Sequence, residues 1–117
     1  MSITRTDSNA RMSQLVIHNN IAYLSGQVDE TSVVGRSALE QTTNILKQID
    51  DYLAKAGTDK TKLLTATIYL ADIADFGAMN EAWQAWVSPQ GLPTRATVEA
   101  KLAGPEFTVE IVVTAAI

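Results

Sequence analysis

The run Leu63-Leu64-Thr65-Ala66-Thr67-Ile68-Tyr69-Leu70-Ala71 carries no charge and is dominated by apolar and β-branched side chains. It suits a strand covered on both faces, or covered by a helix on one and by a partner on the other. Its neighbours supply one cover. From Ser37 onward, Leu39, Thr42, Leu46, Ile49 and Leu53 recur at three- and four-residue intervals, flanked by Ala38, Ile45 and Tyr52. That period predicts an amphipathic helix stopped by Gly57 at its C′ position. Downstream, Asp75 is placed to cap a second helix bearing Phe76, Met79, Trp83, Trp86 and Val87 on one side, and the Ser88–Pro93 segment ends it.

Shorter strands flank this centre. Leu15-Val16-Ile17 and Ile21-Ala22-Tyr23-Leu24 are separated by His18-Asn19-Asn20, a hairpin signal because asparagine tolerates positive φ. The second of them runs into Ser25-Gly26-Gln27, where the glycine marks a bend or a close backbone approach. Asp29 to Gly35 reads as a polar loop. At the far end, residues 94–102 and 107–113 read as two strands joined by a tight turn. The order β-β-α-β-α-β-β predicts one α+β domain over residues 1–117, a mixed sheet with two helices on one face. Thr65, Thr67, Tyr69, Val112, Thr114 and Ala116 then line a face that two helices cannot cover. That face is too weakly charged to be fully wetted, so a homo-oligomer is expected.

Composition closes off several chemistries. With no cysteine there is no disulfide, thiolate metal site or cysteine nucleophile. The single histidine, His18, reads as an exposed turn residue, and no carboxylate cluster has metal-ligand spacing. A net charge of −4 gives no footprint for nucleic acid or an anionic membrane. The first residues lack the apolar core of a signal peptide, and no run suits a membrane span, so a cytoplasmic protein is expected.

What remains is a guanidinium and a carboxylate. With the last two strands paired as a hairpin about Ala103-Gly104, Thr97 falls opposite Glu110 and Arg95 opposite Val112. Arg95, Thr97 and Glu110 then share one face, the arginine and glutamate on a diagonal of about 7–8 Å. A slip of one residue would send Glu110 to the other side. Arg95 is either paired with Glu99, Glu110 or the terminal carboxylate, or it is a fork that binds a carboxylate through two parallel hydrogen bonds. Glu110, set among Val109, Ile111, Val112 and Val113, either pairs with Arg95 or orients and activates a water. Trp83 and Trp86 read as core, Asn80 and Glu81 as solvated helix positions.

These residues resemble the Rid family of reactive-intermediate deaminases (YjgF-type proteins), its short YoaB-like members in particular. The resemblance spans the chain. It rests on Tyr23-Leu24-Ser25-Gly26-Gln27-Val28, on Thr67–Asp72 followed by Phe76 and Met79-Asn80-Glu81, and above all on Pro93-Thr94-Arg95-Ala96-Thr97-Val98 with Val109-Glu110-Ile111. It implies a chorismate-mutase-like fold assembled as a homotrimer, with sheets around a central barrel and three clefts between subunits. It also implies hydrolysis of small 2-imino acids to 2-keto acids and ammonia, without metal or organic cofactor. By position, Arg95 would hold the substrate carboxylate and Glu110 the attacking water. Gly26 and Thr97 would give backbone contacts, with Ser25 and Asn80 at the margin. Met12 and Thr97 stand where many deaminases of the family carry tyrosine and cysteine. A keto-acid-binding module that uses the same cleft without turnover is the alternative.

Overall fold

The computed structural model describes residues 2–117. Its strands are β1 (Thr4–Ser8), β2 (Ser13–His18), β3 (Ile21–Leu24), β4 (Leu63–Leu70), β5 (Thr94–Glu99) and β6 (Val109–Ala116). Its helices are α1 (Ala38–Lys55), between β3 and β4, and α2 (Phe76–Trp86), between β4 and β5. The expected β-β-α-β-α-β-β order is present with one strand added in front. β1 was not anticipated because its sequence, Thr-Arg-Thr-Asp-Ser, has no apolar alternation; it is a mostly exposed edge strand.

All strands form one six-stranded sheet in the order β1-β2-β3-β6-β4-β5. Every pairing is antiparallel except β4 with β5. The mixed sheet is as expected, but the terminal hairpin is not. β5 lies parallel to β4 at the sheet edge, and β6 runs between β3 and β4. The cause is burial. Val109, Ile111, Val113 and Ala115 are almost wholly buried on one side of β6, which demands a central place beneath the helices. β5, carrying Arg95 and Glu99, has no fully buried residue and suits an edge. Helix α2 supplies the crossover that a parallel β4–β5 pair requires.

The core lies between the helices and one face of the sheet. Leu15, Ala22, Leu24, Ala66, Ile68, Leu70 and the buried side of β6 meet Ile45, Leu46, Ile49 and Leu53 of α1, and Met79 and Trp83 of α2. Ser37 begins α1, its hydroxyl accepting from the Glu40 amide at 3.1 Å. Gly57 follows α1 with φ +80°, the left-handed stop expected there. The buried stripe is shifted slightly from the expected one: Leu39 is 37% exposed and Gln41 is fully buried, whereas Thr42 is buried as expected. Gln41 is satisfied by the segment before α1 and by the β5–β6 connection. Its amide donates to the carbonyls of Arg36 (3.0 Å) and Glu106 (2.9 Å), and its carbonyl accepts from the Thr108 amide at 2.9 Å. Asp75 makes no side-chain cap on α2. Asp72 instead caps the 3-10 turn Ile73–Asp75 that leads into α2, accepting from the Ala74 amide at 2.9 Å.

The expected polar loop after Gln27 is less solvated than its composition implies. The Asp29 side chain is 0% exposed and 3.5 Å from Arg36. It accepts from the Thr31 amide (2.9 Å), the Thr31 hydroxyl (2.7 Å) and Asn44 of α1 (3.0 Å). Burial pushes the Asp29 pKa up, but those hydrogen bonds and the Arg36 charge outweigh it and leave the carboxyl below its ordinary value. The His18-Asn19-Asn20 turn is as expected, with Asn19 and Asn20 at φ +53° and +61°.

The opposite face of the sheet is uncovered within the chain. Thr65, Thr67, Tyr69, Val112, Thr114 and Ala116 all lie on it, joined by Tyr23 (43% exposed) and Val98 (42% exposed).

Candidate functional site

Register places the two reactive groups. Across β4, Arg95 aligns with Ala66 and Thr97 with Ile68, while Glu110 aligns with Tyr69. Ala66 and Ile68 point into the core, so Arg95 and Thr97 lie on the helix side. Glu110 lies with Tyr69 on the uncovered side. The two are therefore not diagonal neighbours within a chain: they are two strands apart and on opposite faces. The assumed hairpin had produced the shared face.

Each group instead organises its own cluster. Arg95 enters none of the ion pairs among the described residues, which join Arg36 to Asp29, Arg36 to Glu40, and Lys55 to Asp7. Its guanidinium carbon lies 5.6 Å from the Trp83 ring centroid and 5.9 Å from that of Phe76, within cation–π range. Desolvation lowers its pKa, yet a guanidinium stays charged throughout the working pH range. Beside it lies an open groove of about 380 Å³, lined also by Asn80, Trp83, Leu92 and Pro93. Asn80 is thus half-buried beside the arginine rather than simply solvated. The Thr97 hydroxyl is buried without a hydrogen-bond partner among the described residues.

The second cluster forms where β3 ends against β6. Ser25 is held by its amide to the Gln14 carbonyl at 2.9 Å and by its hydroxyl to the Ser13 carbonyl at 2.6 Å. Gln27 exchanges two backbone hydrogen bonds with Ile111, of 2.8 and 3.0 Å. Between these anchors Gly26 passes directly over Glu110. A Cβ there would collide with the carboxylate, lying 2.9 Å from Glu110 Cδ. The expected close approach at this glycine is real, and its object is Glu110. Met12, 46% exposed, sits in the β1–β2 turn, next in sequence to the Ser13 carbonyl that holds Ser25. It belongs to this cluster by position.

The predicted residues thus sort into two half-sites: Arg95, Thr97 and Asn80 on one side of the sheet, and Ser25, Gly26, Glu110 and Met12 at the other. Trp83 is core, as expected, but also bears the arginine. Phe76 was read as part of an apolar stripe and of the motif behind the family resemblance, without a role at the site. Its spacing from Asn80 and Trp83, four and seven residues, was the available signal that one face of α2 carries all three. Among the described residues no group of three or more His, Asp or Glu side chains could hold a metal ion.

A mixed sheet backed on one face by two helices, with its other face open, is the chorismate-mutase-like α+β fold. The family model described as Endoribonuclease L-PSP matches residues 2–117. A YjgF-family protein from Neisseria meningitidis superposes with a TM-score of 0.94 at 46% identity, covering 99% of this chain and 95% of its own. A RutC family protein of Haemophilus ducreyi is 51% identical over 98% of this chain and 97% of its own length. The RutC family protein YoaB of Escherichia coli is 48% identical over the full length of both. The chain belongs to the Rid (YjgF) family and is a YoaB-like member of it. More distantly, a rat protein named 2-iminobutanoate/2-iminopropanoate deaminase is 35% identical over 74% of this chain and 66% of its own.

Proposed function

We propose that the protein hydrolyses small 2-imino acids to 2-keto acids and ammonia, in clefts that form only when copies of the chain associate. The observation that carries this reading is Arg95: a guanidinium that enters no ion pair among the described residues and lies over the Phe76 and Trp83 rings. A carboxylate is the ligand that matches such a fork. Glu110 lies on the uncovered face, so a single chain cannot bring the two together. A neighbour packing its half-site against the Arg95 half-site can. The expected homotrimer, with one cleft at each of its interfaces, supplies that arrangement.

The chemistry then follows. Arg95 holds the substrate carboxylate through two hydrogen bonds. A water held by Glu110 of the neighbouring copy adds to the imine carbon: its oxygen forms the new C–O bond, the C=N π pair passes to nitrogen, and the carboxylate takes a water proton. That proton moves to the nitrogen to give the neutral carbinolamine; the hydroxyl proton is then passed to the nitrogen as well, so that the C–N pair leaves with ammonia as the carbonyl forms. The imine carbon is already electrophilic, so positioning can supply several kcal/mol, about 7 or more in well-oriented cases. The family description names an endoribonuclease, but a net charge of −4 disfavours association with a phosphate backbone, and the reading does not extend to nucleic acid.

The direct test generates 2-iminopropanoate or 2-iminobutanoate with an amino-acid oxidase and follows ammonia or keto-acid release. Acceleration over buffer is expected at micromolar protein. Pyruvate binding with no acceleration would instead identify a keto-acid-binding module. A second test addresses the shared cleft. Arg95→Ala and Glu110→Gln are each expected to be nearly inactive. Co-expressed, they should regain activity, because about a quarter of randomly assembled clefts receive both wild-type groups. No recovery in confirmed mixed oligomers would refute the shared cleft.

Gly26→Ala offers a third check. The added methyl displaces the Glu110 carboxylate, while the flanking Ser25 and Gln27 hydrogen bonds remain. A fall in kcat of about 10- to 100-fold is expected, as for a displaced catalytic group. The thermal midpoint should shift by only a few degrees, about what 1 kcal/mol produces in a domain of this size.

A further inference from the structure

We infer that Phe76 and Trp83 are positioning residues, which act through Arg95 by holding its guanidinium plane for the substrate carboxylate. The inference rests on the imino-acid reading above and deepens it, by giving the two rings under Arg95 a function in substrate binding.

Four observations carry it. Phe76, Asn80 and Trp83 lie four and three residues apart on α2, hence on one face, and that face is turned to β5. Both rings bring their centroids within 6 Å of the Arg95 guanidinium carbon, at 5.9 and 5.6 Å. Trp83 is itself fixed: it is 5% exposed and lies against Trp86, with ring centroids 5.5 Å apart at 54°. The Trp86 indole N–H in turn donates to Asp50 of α1 at 2.9 Å. The support therefore runs from α1 through two indoles to the arginine. Finally, Arg95 enters no ion pair among the described residues; Glu99, on the same face of β5, is engaged instead by the Ile73 amide at 2.9 Å.

An arginine usually neutralised by a carboxylate would have that partner to displace before binding a substrate. A ring face offers another way to hold it. It attracts the cation without occupying the in-plane N–H donors. The fork is thereby ordered in advance and its hydrogen-bonding edge stays vacant, so less conformational freedom is lost when the carboxylate arrives. A merely structural fastening of edge strand β5 would account for the contacts but not for an effect on substrate affinity.

The experiment measures kcat and KM with 2-iminopropanoate for the wild type, Phe76→Leu and Phe76→Tyr, in both Arg95 and Arg95→Ala backgrounds. Phe76 is 42% exposed, so these variants are expected to fold, and thermal midpoints check that they do. Phe76→Leu should raise KM about 5- to 10-fold with kcat within about twofold, the pattern of lost ground-state binding. Phe76→Tyr, which keeps the ring face, should restore KM. In the Arg95→Ala background, Phe76→Leu should cost nothing further, because the group it acts through is gone. Unchanged KM in Phe76→Leu, or an equal loss with and without Arg95, overturns this inference and leaves the parent reading intact. A wild type that neither hydrolyses the imine nor binds pyruvate overturns the parent reading, and this inference with it.

Discussion

Arg95→Ala is expected to lower kcat/KM for a 2-imino acid by about 100- to 1000-fold, the loss of a bidentate, charge-assisted anchor worth roughly 3–4 kcal/mol. The change should appear mainly in KM if the carboxylate is held equally in ground and transition states. A part in kcat would report misplacement of the imine carbon relative to the water. Arg95→Lys keeps the charge but not the fork, and should recover only a fraction of the loss. Stability should change little, since Arg95 is exposed, lies at the sheet edge and makes no ion pair among the described residues. Removing the two aromatic contacts costs about 1 kcal/mol at such a site. Kinetics with thermal melts decide the matter. An Arg95→Ala protein that unfolds would identify a structural arginine, and one with unchanged KM would have no carboxylate role.

Asp29→Ala is the largest stability effect expected away from the apolar core, about 2–4 kcal/mol, since breaking a buried charge cluster from one side leaves its donors unpaired. The Asp29 side chain has no exposed surface and gathers Thr31, Arg36 and Asn44 around it. It fixes the chain leaving Gln27 onto α1, so the damage extends toward Gly26. The pH dependence has a definite sign. The folded-state pKa lies below the ordinary value, so the ionised form is favoured in the folded protein. Its contribution is present above the unfolded-state carboxylate value of about 3.9, and is lost as pH falls through the lower folded-state value. Chemical denaturation of wild type and Asp29→Asn should show a full stability gap at neutral pH that narrows below about pH 4. A gap independent of pH would mean that the charge of Asp29 contributes nothing.

Local signals in the sequence were read correctly where they were strong. The period of α1, the uncharged run of β4, the Asn19-Asn20 turn and the glycine stop at Gly57 each express a short-range preference that the fold does not contradict. The uncovered face was also readable, because strand alternation assigns sides without knowledge of neighbours. Pairing was not. Residues 94–99 and 109–116 suit a hairpin or two separated strands equally well; the outcome depends on how deeply β6 is buried by helices far from it in sequence. That one decision moved Arg95 and Glu110 to opposite faces. The same non-locality explains Gln41: a glutamine on the buried stripe makes sense only once the carbonyl of Glu106 and the amide of Thr108 are known to lie over it. Phe76 was visible, but an aromatic on a helix reads as core until the arginine opposite it is in place.

The central position of β6 has a consequence for biogenesis. A chain emerges from the ribosome in order, and here the strand that joins the two halves of the sheet follows all the others. Until residues 109–116 are released, β2–β3 and β4–β5 have no shared neighbour, and the apolar side of α1 has no complete floor. Nascent chains should therefore stay unfolded until residues 109–116 have left the ribosome, then close the sheet in one cooperative step. Shortening the chain within Val109–Ala116 should abolish folding rather than trim an end.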